Sequence, residues 1–220
     1  MILSRADIQE RIRTGEVSFT PGLDGFQMQP HAVDLRLGLE FHIPKTWELT
    51  KEGRRAIMID PLSGTAAENF DTVTLKPGQY FELLPQESVI GTTYEAIGLH
   101  AKDLMCVLYP RSSINRRGLS VALSGIIDVG YTGHLMIPIV NNTDQQLIRI
   151  YPGERVCQVV FQKISSDISA EDAQLHGLTR AKYNGGKDGF IGGKSDREDE
   201  MQLIREGRLA ALKKDFALPL

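Results

Sequence analysis

The sequence predicts an all-β fold, and three observations carry that prediction. Val33-Asp34-Leu35-Arg36-Leu37 alternates apolar and charged side chains, the period of two that a half-buried strand needs. Leu135, Ile137 and Ile139 share one face of a second run, with His134, Met136, Pro138 and Val140 on the other. Turn pairs separate such runs at Pro77-Gly78, Asn141-Asn142 and Pro152-Gly153. Many short strands at this spacing make a barrel or a sandwich.

The elements follow in order. Ser4 reads as the N-cap of a short helix, with Asp7 three residues on, Leu3 and Ile8 at the staple positions and Gly15 as the stop. From Val33 to Lys163 the pattern is β. Trp47 to Asn69 mixes charge, Pro and Gly and reads as an insertion loop or small hairpin. Leu104 to Tyr109 is a compact apolar run that stops at Pro110. Val156, Gln158 and Val160 oppose Cys157, Val159 and Phe161. After Ser165 the character changes to a glycine-rich stretch, Asn184 to Gly193, and then a charged helix opened by Ser195 and carrying Met201, Ile204 and Leu212. The expected division is one domain over 1–193, with a flexible flap at 182–193, and a C-terminal helical extension over 194–220.

Composition excludes several classes of function. The 220 residues carry 25 Lys and Arg against 28 Asp and Glu, so 25 − 28 = −3, with no global basic field for coating nucleic acid. No apolar run approaches the roughly 18–20 residues that span a bilayer, and the first residues lack a signal-peptide pattern. Cys106 and Cys157 are the only cysteines and form no CxxC pair, which gives no basis for a disulfide or zinc site. A cytoplasmic protein with neither a nucleic-acid nor a membrane partner is expected.

Three segments carry candidate chemistry. Pro110-Arg111-Ser112-Ser113 closes a buried strand, and an Arg fork beside two hydroxyls suits phosphate, although a surface turn would use the same residues. Gly125 to Gly133 reads as a tight β-hairpin with Asp128 at its mouth, able to orient and deprotonate a water, and Tyr131 beside it to stack on a sugar or base. An ordinary Asp turn with a packed Tyr fits that stretch equally well. Gly153 to Gln158 is a turn feeding a strand, and Glu154, Arg155 and Gln158 fit a surface salt bridge and an exposed amide as readily as a site.

Together, in order and spacing, Ala32 to Leu35, Pro110 to Ser113, Gly125 to Gly133 and Gly153 to Gln158 resemble the motifs of the trimeric dUTPases. The glycine-rich Gly185 to Gly193 looks like a loose version of their C-terminal motif. Met1 to Ser4, Gln29 to Gly38, Arg111 to Arg116 and Ala181 to Gly185 are similar to the dCTP deaminases, a sister family on the same fold. The resemblance covers roughly residues 1–193. It implies a distorted jelly roll, a dUTPase-like β-clip barrel, with peripheral short helices and a C-terminal helix. It implies hydrolysis of dUTP to dUMP and pyrophosphate, with dCTP deamination, alone or combined with hydrolysis, as the alternative and a nucleotide-sensing, non-catalytic relative as a second.

The family's roles fall on these residues as follows. Asp128 orients the attacking water, and Tyr131 packs on the deoxyribose. The backbone from Leu123 through Gly125 and Ile126 reads the base edge. Arg111, Ser112, Ser113, Arg116 and Gln158 hold phosphates, while Lys182, Tyr183 and Phe190 belong to the closing flap. Mg²⁺ bridges the triphosphate, with Asp34 touching one of its waters, and the sites lie between subunits of a homotrimer. One position departs from the deaminases. Their catalytic Glu lies ten positions beyond the hairpin Asp, where this chain has Pro138, a residue with no proton to exchange. On that ground dUTP diphosphatase ranks above dCTP deaminase, unless Glu154 or another carboxylate replaces the missing one. Pro138 also fits an edge-strand proline without functional meaning.

Overall fold

The computed structural model of the chain describes residues 1–63, 67–122, 125–183 and 191–218. It begins with helix α1, Arg5–Arg13. The Asp7 amide donates to the Ser4 hydroxyl and the Ser4 amide donates to the Asp7 carboxylate, so the expected cap is a reciprocal capping box. Leu3 and Ile8 are buried beneath the helix. Arg11 ties the helix to the β body by forking onto both oxygens of Asp103, at 3.1 and 3.0 Å.

Strands β1 (Val17–Thr20) and β2 (Val33–Pro44) follow. The expected small hairpin is β3 (Trp47–Thr50) paired with β4 (Gly53–Ala56), and it is exposed throughout. Next come β5 (Phe70–Thr74), β6 (Phe81–Leu83), β7 (Ser88–Thr93), β8 (Ala96–Leu99) and β9 (Leu104–Pro110). One helical turn, α2 (Ser112–Asn115), leads to β10 (Leu119–Val121), β11 (Ile126–Ile127), β12 (Thr132–Gly133) and β13 (Met136–Asn141). After β14 (Ile148–Ile150) and β15 (Arg155–Lys163), a two-residue hairpin pairs β16 (Leu175–His176) with β17 (Thr179–Arg180). Helices α3 (Glu198–Arg205) and α4 (Leu209–Asp215) complete the described elements.

The main sheet runs β10-β13-β7-β2-β15-β9-β11, with β5 also on β2, and a smaller sheet runs β1-β8-β12. The long strand β2 serves two surfaces: its first residues pair with β15, and its later ones pair with β7 and β5. Its register against β7 shifts between Leu37 and Phe41. Gly38 sits at that shift, where a Cβ would lie 3.0 Å from the Thr92 carbonyl oxygen, so a larger residue would push the strands apart. The curled, mostly-β body is the expected fold class. Its core gathers Leu35, Leu37, Phe41, Ile137, Ile139 and Phe161, and Phe41 stacks on Phe81 with ring centres 5.1 Å apart. Burial raises both thiols, that of Cys157 to about 12, so neither cysteine is a ready nucleophile. Among the described residues no helix is long and apolar enough to cross a membrane.

Three elements differ from the sequence reading. The stretch Gly125 to Gly133 is not a ladder-paired hairpin: β11 pairs with β9, whereas β12 pairs with β8 in the other sheet. Its two arms diverge because each finds a longer neighbouring strand to pair with. The C-terminal helix is two helices, broken at Gly207 with φ +69°, and Arg197 rather than Ser195 occupies the cap. Pro138 is not on an edge strand, because β13 lies between β7 and β10. It is tolerated at the end of the β10 ladder, where its carbonyl accepts the Ala122 amide at 2.9 Å.

Candidate functional site

Two cavities hold the candidate residues. The first forms where β15 lies between β2 and β9, a register that sets Asp34 and Tyr109 on either side of Gln158. Arg111 follows the end of β9 and folds back across this row. Its Nε stands 3.1 Å from Asp34 Oδ2, and its Nη1 donates to the Arg155 carbonyl at 3.0 Å. Arg155 reaches the same Asp34 oxygen at 3.2 Å, and Gln29 Nε2 donates to it at 3.2 Å. Asp34 is 1% exposed. Burial pushes its carboxyl above the ordinary value, and the charges of Arg111, Arg155 and Arg36 pull it back. Arg111, Ser112, Ser113, Gln158, Asp34 and His31 line a pocket of about 270 Å³. A fixed guanidinium fork beside two hydroxyls and an amide is a donor set for an oxyanion.

The contacts from Arg111, Arg155 and Gln29 all fall on Asp34 Oδ2. The carboxylate serves two guanidinium groups and an amide, which makes it a positioning group for Arg111 and Arg155. Among the described residues no group of three or more His, Cys, Asp or Glu side chains could hold a metal ion. Arg116 stands at the C-cap of α2 and lines neither cavity.

The second cavity is larger, about 830 Å³. Its walls are apolar where β7, β9, β11 and β13 contribute Ile90, Leu108, Ile127, Met136 and Pro138. The chain leaves β11 through a turn in which the Tyr131 amide donates to the Asp128 carbonyl at 3.2 Å. Gly130 has φ +79° there, a left-handed value that suits glycine. Tyr131 is half-buried, burial raises its phenol, and its hydroxyl donates to the His134 carbonyl at 2.8 Å. Asp128 remains open and faces His176 at 3.6 Å.

The far wall is the segment that returns after β15. Lys182 pairs with Asp196, and the Tyr183 hydroxyl accepts the Lys194 amide at 3.0 Å, so the expected flap residues and the start of the extension meet at one rim. Ile126, Asp128, Tyr131, Lys182 and Tyr183 therefore share this cavity. Gly125, with φ +89°, lies just before Ile126 and accepts the Leu108 amide at 2.8 Å. Leu123 and Phe190 lie outside the described residues. Among the described residues the two cavities have no lining residue in common.

Sequence reasoning missed His176 and Asp196. His176 stands alone beyond the β body and Asp196 lies within the charged run Lys194 to Glu200, and neither has a spacing to its partner that could have marked it. Only the fold carries them to the turn at Asp128 and to the rim at Lys182.

One mostly-β body thus carries an oxyanion pocket beside its strands and an apolar cavity behind an open Asp. The family model for dCTP deaminase-like proteins matches residues 2–164, and the chain belongs to that family. It is 37% identical over 168 residues to the "dCTP deaminase, dUMP-forming" of Dictyoglomus thermophilum, covering 76% of this chain and 82% of the relative. It is 33% identical over 186 residues to the protein of the same name from Methanosphaera stadtmanae, covering 84% and 89%. Among solved structures, the 2'-deoxycytidine 5'-triphosphate deaminase of Agrobacterium tumefaciens superposes with a TM-score of 0.55 at 24% identity. That match covers 74% of this chain and 47% of that one, so this chain spans about half its length, and the likeness is one of fold.

These relatives correct two expectations. dUTP hydrolysis as the main reaction, and the ranking of a dUTP diphosphatase above a dCTP deaminase, both give way to relatives named as dUMP-forming dCTP deaminases. The ranking rested on Pro138. That proline does line the cavity, but it does not leave it without carboxylates, since Asp128 and Asp196 line it too. Glu154, the expected stand-in, pairs with Arg117 at 3.1 Å and lines neither cavity.

Proposed function

We propose that the chain is a dUMP-forming dCTP deaminase: dCTP and two waters give dUMP, ammonia and pyrophosphate. One observation carries the reading. The fold collects an oxyanion donor set in one pocket and an apolar cavity with an open Asp in another, and these are the two halves of a pyrimidine nucleoside triphosphate. The names of the relatives supply the base. Arg111, Ser112, Ser113 and Gln158 hold the triphosphate, whose charge builds as pyrophosphate leaves. Asp128 orients the attacking water, and Tyr131 offers the deoxyribose a flat, half-buried face. Magnesium travels with the triphosphate rather than on protein ligands.

As the resemblance to the trimeric dUTPases implies, the working site joins the phosphate pocket of one copy to the Asp128 cavity of another in a homotrimer, and the separation of the two cavities within one chain fits that arrangement. The test is product analysis on dCTP. Ammonia, pyrophosphate and dUMP in equal amounts are expected, from a species near three times 24.4 kDa. Nucleotide binding without ammonia release, or a fully active monomer, refutes the reading.

A further inference from the structure

Exchange of the cytosine amine for oxygen needs a group that takes and returns protons beside the ring. The cavity wall holds few that are uncommitted. Tyr131 donates its proton to the His134 carbonyl, Lys182 is paired with Asp196, and His134, whose Nδ1 donates to the Thr93 carbonyl at 2.9 Å, is oriented by a neutral carbonyl rather than by a carboxylate. His176 and Asp128 face each other across the cavity, with Nε2 3.6 Å from Oδ2 and side chains 41% and 54% exposed. That separation is an ion-pair contact, longer than a hydrogen bond. Such contacts often tighten only when substrate fills a site.

We infer that His176, oriented by Asp128, is the proton carrier for deamination in this chain, in the cavity where position 138 is a proline. The inference rests on the deaminase reading above. The β16–β17 hairpin places His176, with the Thr179 hydroxyl donating to its carbonyl at 2.8 Å, so the ring is presented from an ordered turn. Asp128 at Nε2 leaves Nδ1 as the base. Water adds through its oxygen to C4 of cytosine. One of its protons passes by way of the imidazole to N3. The second leaves the new C4 hydroxyl, again through the imidazole, for the departing amine. The C4–N bond breaks, the C4 carbonyl forms and ammonia departs, with both water protons accounted for and no change of oxidation state.

Among the described residues, the charged and titratable groups that share the cavity or hairpin of His176 are Asp128 from the turn, Lys182, Tyr183, Lys194 and Asp196 from the returning segment, His134 and Tyr131 from the wall, and Arg180 on its own hairpin. Asp128 is the one within ion-pair distance of the imidazole.

The experiment measures ammonia release from dCTP against pH for the wild type, His176→Gln and His176→Ala. The wild type should lose kcat on the acid side, where a protonated imidazole can no longer accept the proton. His176→Gln should lose about 10²-fold or more in kcat, with KM nearly unchanged and the acid limb gone. Added imidazole should restore part of the activity of His176→Ala, a recovery that a merely structural role would not show. His176→Gln within threefold of wild type, an acid limb that persists in it, or failure of imidazole to rescue His176→Ala overturns the assignment while leaving the deaminase reading in place. A wild type that releases no ammonia overturns the deaminase reading itself, and this inference with it.

Discussion

The phosphate pocket and the Asp128 cavity are built by different means. The first stands on three adjacent strands whose ladder fixes Asp34, Gln158 and Tyr109 in one row, and Asp34 pins Arg111 and Arg155 before any ligand arrives. The second is half rigid. Its apolar walls are sheet, but its far side is a returning segment held by side-chain pairs such as Lys182 with Asp196 and by the amide of Lys194 on Tyr183. Preorganised donors suit an anion, whose desolvation must be met at once.

The largest expected effect tests whether the two regions serve one site. Asp128→Asn and Arg111→Ala should each cut turnover on dCTP by about 10²-fold or more. Co-assembled in equal amounts, about one quarter of composite sites would carry both native residues, and turnover should return to about one quarter of wild type. Sites contained within single chains would regain nothing, and a steady-state assay of the mixed trimers tells the two apart.

The next effect is on stability and is confined to the rigid region. Arg111→Ala removes one of two guanidinium partners from a carboxylate that is 1% exposed. A loss of about 2–3 kcal/mol is expected, with Arg155 still compensating part of the buried charge. Denaturant melts of Arg111→Ala and Asp128→Asn make the comparison. Asp128 is open to solvent, so its variant should unfold within about 0.5 kcal/mol of wild type. Equal losses in the two variants would erase the contrast between the regions.

The same contrast explains what the sequence made legible. Asp34, Gln158 and Tyr109 lie on regular strands whose ladder sets them in one row, and Arg111, Ser112 and Ser113 form a short motif where β9 passes into α2. The capping box at Ser4 and Asp7 and the alternation in β13 are equally local. The hairpin reading of Gly125 to Gly133 failed because strand pairing is not local: β9 and β8 compete for its arms and win. His176 and Asp196 left no trace, since their partners lie 48 positions away at Asp128 and 14 away at Lys182. Pro138 can be weighed from the sequence only against a carboxylate such as Glu154, whereas the fold sets Asp128 and Asp196 in the same cavity as the proline.

Truncation after Gly193 should break the softer region alone. It removes Lys194, Asp196 and both terminal helices, and with them the buried Met201. Turnover on dCTP should fall about tenfold as the rim loosens. Binding of inorganic tripolyphosphate, measured by calorimetry, should stay unchanged because every residue of the phosphate pocket is retained. Weakened tripolyphosphate binding would show that the extension supports both regions.

The smallest effect asks whether the frame can be perturbed without touching either cavity. Asp103 lies just before β9 and lines neither. Burial works to raise its carboxyl, but hydrogen bonds from Arg11 and Lys163 outweigh it and hold the group below its ordinary value. A carboxyl lowered in the folded state stabilises the fold above its unfolded pKa of about 3.9, and that contribution is lost as pH falls through the lower folded value. Wild type should therefore lead Asp103→Asn by about 1 kcal/mol at neutral pH, with the gap closing below about pH 4. Urea melts at neutral pH and at about pH 3 measure that closure. Ammonia release at neutral pH should match wild type in both kcat and KM, since α1 is tied to the body far along the chain from Arg111 and Asp128. A gap that stays constant with pH would mean that Asp103 acts through shape rather than charge, and a change in KM would mean that the start of β9 reaches into the phosphate pocket after all.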